Sequence, residues 1–145
     1  MSAQGYNKYI HMALGGAICL LVTYILLIIS TQGLQTLFLS FNCLGLLVFE
    51  EVTLAVSIIN FGITYLPGGF CGGLYTGYRI KENLRIMLLF PGIIGFVAFI
   101  LLRYFTGYLT LSNLSIEKEI LVPLAGHIIG VYLGGYTINW KKKEE

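Results

Sequence analysis

The chain has 145 residues, a length that suffices for one domain. Its net charge of +2 fits membrane anchoring rather than nucleic-acid binding. Hydrophobic residues make up 57% of the chain and charged residues only 11%, whereas a soluble domain carries about 25% charged residues. This composition excludes a water-exposed globular surface and predicts an integral membrane protein surrounded by lipid.

Runs without Asp, Glu, Lys or Arg define the predicted helices, because a spanning helix needs about 20 mostly apolar residues. They predict four transmembrane helices, over about 9–30, 57–79, 86–105 and 120–140. The predicted fold class is therefore all-α: a polytopic helix bundle forming one membrane domain over residues 1–145, with a charged cytoplasmic tail at 141–145.

The stretch "LQTLFLSFNCLGLLVF" at 34–49 is apolar but short, and "STQG" separates it from the first predicted span. It fits either a fifth crossing or a short helix in the membrane interface. The positive-inside rule favours the second, since four crossings place seven basic residues on one side: Lys8, Arg79, Lys81, Arg85, Lys141, Lys142 and Lys143. We therefore predict an external interfacial or re-entrant helix at 34–49, and both termini on the cytoplasmic side of the cell membrane.

The chain contains an internal similarity. An ungapped alignment of "ITYLPGGFCGGLYTGYRI" (63–80) with "LVPLAGHIIGVYLGGYTI" (121–138) gives six identities in eighteen positions. It predicts two tandem helical hairpins, about 9–80 and about 84–140, each with a plain apolar helix followed by a glycine-rich helix. Some transporters are also built from parallel repeats, although duplication alone does not imply transport.

Glycines recur every four residues in both glycine-rich spans. Residues at this spacing share one helix face, and small residues there allow the close backbone approach on which helix association in lipid depends. This pattern, a glycine zipper, predicts helix-packing faces formed by Gly69, Gly73, Gly77, Gly126, Gly130 and Gly134. A phosphate-binding loop is excluded, because Tyr78 and Arg79 follow where a Walker motif has Lys and Ser or Thr. Prolines 67, 91 and 123 predict kinks, which fit a static or a moving bundle.

Ionisable residues at membrane depth are candidates for function. Glu50 and Glu51 follow the short apolar segment, and His127 lies in the fourth predicted span. All three are candidates for a cation or proton site. The alternatives are a solvated loop boundary for the two glutamates and packing against a polar partner for His127. Asn60 and Thr64, one turn apart, predict a hydrogen bond between helices.

Catalytic and metal-binding patterns are missing from the sequence. The chain contains no aspartate, no GxSxG and no HExxH motif. Its three cysteines, Cys19, Cys43 and Cys71, lack the spacing of a metal site and are interpreted as small packing residues. We therefore predict no enzymatic activity, no catalytic residues, no cofactor and no metal.

The segment "PGGFCGGLYTGY", a short charged turn and "FPGIIGF" together resemble a group of small, glycine-rich, four-helix membrane proteins of unknown function, found mainly in archaea. The resemblance covers residues 58–138 approximately. It implies the four-helix fold and no particular activity.

Three classes of function follow from these patterns. The favoured class is a non-enzymatic protein that acts through helix packing, as an accessory subunit of a larger membrane complex or as a homo-oligomer. Its partners would be lipid, other membrane subunits or itself, and not nucleic acid. The alternative is a small channel or transporter for an ion or small solute. A membrane enzyme is the least supported class.

Overall fold

The computed structural model describes residues 3–42, 56–80, 84–107 and 116–144. Of these residues 97% are helical and none lies in a strand, which confirms the all-α class. Four helices result: α1 is Ala3–Asn42, α2 covers 56–79, α3 is Leu84–Phe105, and α4 covers 116–144. Helix α4 includes residues 141–144, so this part of the predicted charged tail continues the fourth helix.

Within the described residues, three helical stretches are long and apolar enough to cross a membrane: Asn7–Gly33, Ile86–Phe105 and Glu119–Ile138. They confirm that the chain is compatible with a membrane protein. The fourth predicted span, 57–79, is helical but is not one of these three stretches. The reason is its composition, since it contains six glycines together with Asn60, Thr64 and Thr76.

Helix α1 differs from the sequence prediction. It continues without a break from Ala3 to Asn42, so the separation expected at "STQG" is wrong, and 34–42 extends the first helix. The polar residues there are accommodated within the helix, because the Ser30 and Thr31 hydroxyls both donate to the Leu27 carbonyl, at 3.1 and 2.8 Å. The remainder of the predicted short helix, 43–49, lies outside the described residues.

Two helices contain a widened turn directly before a proline. Phe61–Tyr65 is π-helical and precedes Pro67, while Ile116–Leu121 is π-helical and precedes Pro123. A proline lacks an N–H and its ring collides with the carbonyl four residues earlier, so the preceding turn widens. In α2 the Leu66 N–H accordingly donates to the Phe61 carbonyl, five residues earlier.

Side-chain contacts define the directions of the helices. His11 bonds to Tyr75 near one end of the bundle, and Ser30 to Thr64 near the other, so α1 and α2 are antiparallel. Gly69 and Gly77 lie against Gly130 and Gly135 respectively, so α2 and α4 are parallel.

Helix α2 lies between α1 and α4, and α3 packs across both of these helices and also touches α2. The interpretation of this bundle as a tandem repeat stays a prediction.

The interior of the bundle is built mainly from small and polar residues. Fully buried side chains include Cys19, Thr23, Thr64 and Thr76, alongside a few large apolar ones such as Phe99. Large aliphatic side chains point outward instead: Leu21 is 60% exposed and Ile86 is 67% exposed. This distribution suits a bundle in lipid, where close packing rather than water exclusion holds helices together.

Candidate functional site

The glycines predicted on α2 lie against the backbone of α4. A β-carbon added at Gly69 would lie 2.5 Å from the His127 carbonyl oxygen, and one at Gly73 would lie 2.7 Å from the Val131 Cα. A β-carbon at Gly77 would lie 2.8 Å from the Gly135 Cα. Carbon atoms normally pack about 3.5–4.0 Å apart. Only hydrogen therefore fits at these three positions.

The glycines predicted on α4 occupy the other side of the same interface. A β-carbon at Gly126 would lie 2.5 Å from the Tyr65 Cβ, one at Gly130 would lie 2.8 Å from the Phe70 nitrogen, and one at Gly134 would lie 2.9 Å from the Leu74 nitrogen. The structure thus brings all six predicted glycines to a single contact between α2 and α4.

A second small-residue face, which the sequence analysis overlooked, joins α2 to α1. A β-carbon at Gly72 would lie 2.6 Å from the Gly15 carbonyl oxygen and 2.9 Å from the Cys19 Cβ. A β-carbon at Gly68 would lie 3.1 Å from the Cys19 carbonyl oxygen. The sequence indicates this face by small residues spaced four apart on both helices: Gly15, Cys19 and Thr23 on α1, and Gly68, Gly72 and Thr76 on α2.

His127 is the centre of a buried cluster to which all four helices contribute; we call it the His127 cluster. The imidazole is completely buried. Its Nε2 lies 3.1 Å from the Thr23 hydroxyl of α1. The ring of Tyr65, from the π-helical turn of α2, lies 5.8 Å away between centroids. Phe96 and Phe99 of α3 lie 6.4 and 5.9 Å away.

The hydrogen bonds of His127 assign its tautomer. Nδ1 lies 2.6 Å from the Pro123 carbonyl oxygen, which can only accept, so Nδ1 carries the proton and donates. In the neutral ring Nε2 is then the acceptor, and the Thr23 hydroxyl donates to it. Both ring nitrogens are therefore engaged, and the predicted alternative of packing against a polar partner describes this arrangement. A metal could reach Nε2 only if Thr23 moved away.

An ion pair between Arg103 and Glu119 lies beside Phe99 of the His127 cluster. Arg103 donates to the Glu119 carboxylate, and its guanidinium also lies 5.7 Å from the centre of the Phe99 ring. The Arg103 side chain is 18% exposed. The pair connects α3 to the π-helical start of α4.

Two further polar contacts join α1 to α2, one near each end of the bundle. Ser30 lies 3.4 Å from the Thr64 hydroxyl and 3.4 Å from the Asn60 side-chain oxygen. These contacts agree with the hydrogen bonding between helices that Asn60 and Thr64 predict. At the other end, the His11 Nδ1 lies 3.1 Å from the Tyr75 hydroxyl. Polar contacts thus occur at three depths along α1.

The other candidates from the sequence have different outcomes. Glu50 and Glu51 lie outside the described residues, so the structure does not relate them to His127. Among the residues that the structure describes, no three His, Cys, Asp or Glu side chains form a group that could hold a metal. In the same part of the chain, every buried side-chain nitrogen or oxygen has a hydrogen-bond partner.

Comparison with known proteins gives no relative. No protein-family model, curated protein or solved structure matches this chain.

Proposed function

We propose that this chain is a non-enzymatic membrane protein that acts through helix packing, as an accessory subunit of a larger membrane complex or as a homo-oligomer. The observation that carries the proposal is the position of α2, whose glycines meet the backbones of α1 and α4 on two faces at once. Such contacts favour a rigid bundle, because the helices cannot slide or separate without losing close backbone approach along their length.

The same observation limits where a partner could bind. The six predicted glycines are occupied by contacts within the chain, so a partner would have to contact the outward surface of the bundle. That surface is aliphatic, with exposed side chains such as Leu21 and Ile25 on α1 and Val97 and Leu101 on α3. Partner contacts in this proposal are therefore lateral contacts in the plane of the membrane.

Native mass measurement in mild detergent tests the proposal. The chain is extracted from its own membrane and its complexes are weighed. A complex with other proteins supports the subunit role, and a complex of identical chains supports the homo-oligomer. A monomer alone, both in mild detergent and in lipid nanodiscs, would overturn the proposal.

A small channel or transporter is the second candidate, and one observation favours it. The polar side chains of α1 that face the interior, His11, Thr23 and Ser30, extend over 19 residues, or about 29 Å of helix. This length is close to the thickness of the hydrocarbon core, about 30 Å. Polar groups at several depths of the membrane are a property that a pathway for protons or small solutes needs.

Flux measurements in reconstituted liposomes test the second candidate. Wild-type protein should dissipate a proton or cation gradient, and Thr23→Val, which keeps the side-chain volume but removes the hydroxyl, should reduce the flux. The double variant Glu50→Gln/Glu51→Gln tests the glutamates as a cation site, and unchanged flux would remove them. Wild-type liposomes that leak no faster than empty liposomes would exclude the transport candidate.

A further inference from the structure

The four helices have a shared level near one end of the bundle, which their contacts define. His11 of α1 bonds to Tyr75 of α2. Gly77 of α2 lies against Gly135 of α4, and Leu88 of α3 also touches Gly135. These contacts allow positions on different helices to be compared by counting residues, at a rise of about 1.5 Å each.

Basic residues lie just beyond this level on every helix. Lys8 lies three residues beyond His11, Arg79 two beyond Gly77, and Arg85 three beyond Leu88, which places all three about 3–5 Å past the shared level. Helix α4 continues to Glu144, so residues 141–143 lie about 9–12 Å past it. We call these six residues the basic end: Lys8, Arg79, Arg85, Lys141, Lys142 and Lys143.

Charge separates the two ends of the bundle. The described residues here are the six of the basic end and Glu144, and Lys81, Glu82 and Glu145 adjoin them in the sequence. Seven basic and three acidic residues give a net charge of +4. The opposite end has two basic and two acidic described residues, for a net charge of zero: Arg103, Lys118, Glu117 and Glu119. Every helix contributes at least one basic residue to this end.

Exposed aromatic residues surround the bundle at the same level. Tyr9, Tyr78 and Tyr136, from three different helices, are 59%, 60% and 42% exposed. Tyrosines concentrate at the boundary between hydrocarbon and headgroups. The Arg79 guanidinium lies 5.7 Å from the centre of the Tyr78 ring, so a cation and an aromatic ring occupy this boundary together. The first part of the basic end therefore lies at headgroup depth.

We propose that the basic end binds the phosphate groups of anionic lipids in the adjacent leaflet. Basic residues next to membrane helices attract anionic headgroups, and here they come from all four helices around the bundle. An acidic protein partner is the less favoured occupant, because the exposed tyrosines place Lys8 and Arg79 beside lipid headgroups. This inference is independent of the function proposed above.

Native mass spectrometry and lipid titration test the inference on purified protein in mild detergent. Phosphatidylglycerol, which is anionic, is compared with zwitterionic phosphatidylcholine of the same acyl chains. Wild-type protein should retain more phosphatidylglycerol, and added salt should reduce the difference. Arg79→Gln should weaken phosphatidylglycerol binding about fivefold, since each basic residue near an anionic surface contributes about 1 kcal/mol. Gln at all three of 141–143 should also weaken it, by less per residue because these positions lie farther from the headgroups.

Lys118→Gln is the matched control, because it removes one positive charge at the opposite end. It should leave phosphatidylglycerol binding unchanged. Arg79 is exposed and 141–143 lie past the packed level, so these variants should remain folded, which their elution as a single species checks. Equal binding of the two lipids to wild-type protein, or equal losses for Arg79→Gln and Lys118→Gln, would overturn the inference. Loss of a co-purifying acidic protein from these variants, without any change in lipid binding, would also overturn the inference and assign the basic end to that protein.

Discussion

Substitution of Gly73 probes a close approach of α2 to α4. The side of Gly73 on which a side chain would stand faces Val131. A β-carbon added there would lie 2.7 Å from the Val131 Cα and 2.8 Å from its carbonyl carbon. The obstacle is backbone on a neighbouring helix, which cannot rotate away as a flexible side chain could. Gly73→Ala and Gly73→Leu should therefore force the two helices apart.

The size of the effect follows from these distances. Carbon atoms pack best at about 3.5–4.0 Å, so the backbones would have to separate by about 1 Å, and a gap of that size loses up to about half of the dispersion energy of each contact. Overpacking of this kind typically costs about 1–3 kcal/mol. Replacement of glycine by alanine within a helix contributes about 1 kcal/mol in the opposite direction, which an open position would receive without any clash.

Gly62 is the matched control in the same helix. It is exposed, and an added β-carbon there would have nothing within 4 Å. Gly62→Ala should therefore leave the free energy of unfolding unchanged or raise it. Because the helix-propensity gain is common to both variants, Gly62→Ala should be more stable than Gly73→Ala by the overpacking cost, about 1–3 kcal/mol. The free energy of unfolding is measured by titrating the protein in mild detergent with SDS and monitoring unfolding by intrinsic fluorescence.

Leucine variants extend the comparison to the partner helix. Gly73→Leu should be the most destabilising single change, and Gly130→Leu should be comparable, because a β-carbon there would lie 2.8 Å from the Phe70 nitrogen. Wild-type stability in both leucine variants, or an equal loss in Gly62→Leu, would refute the packing argument. Variants that stay folded but lose a bound protein would show that the contact is made between chains rather than within one.

Two further predictions concern the His127 cluster and the topology. Thr23→Val should lower the free energy of unfolding by about 0.6 kcal/mol, the average for a hydrogen bond between membrane helices, whereas His127→Ala should lower it by about 2–5 kcal/mol because it also opens a cavity. Equal losses would contradict the packing described for His127. In sealed vesicles of known orientation, a cysteine at Ser112 should react with an impermeant reagent from outside and one at Lys142 should not, and equal labelling would contradict the four-crossing topology.

The helices themselves could be predicted well where charges bound an apolar run. Predicted span 86–105 corresponds closely to Leu84–Phe105, because Arg85 and Arg103 delimit its hydrocarbon part. The prediction failed at 30–33, where Ser, Thr, Gln and Gly suggested a break. Hydroxyls that bond to carbonyls of the preceding turn hide their polarity inside the helix, so composition alone could not distinguish a spacer from a continuous helix.

Contacts between distant residues could be predicted only in part. A four-residue glycine spacing identifies a helix face but not the helix that will cover it. Gly68 follows its own pattern one residue before Gly69, about 100° around the helix, and this second face was obscured by the first. The bond between Thr23 and His127 joins residues 104 positions apart, and nothing local in either sequence neighbourhood indicates it.

The central position of α2 also has a consequence for how the chain enters the membrane. Its glycines and Asn60 make it a poor substrate for release from the translocon into lipid, since release of a nascent helix depends on its hydropathy. Helix α1 is already inserted when α2 emerges and can cover only the face that contains Gly68 and Gly72. The face that contains Gly69, Gly73 and Gly77 stays uncovered until α4, which is synthesised last, has been inserted. We therefore expect a nascent chain truncated before residue 116 to expose α2 to extraction and degradation, and stable integration of the second helix to depend on completion of the fourth.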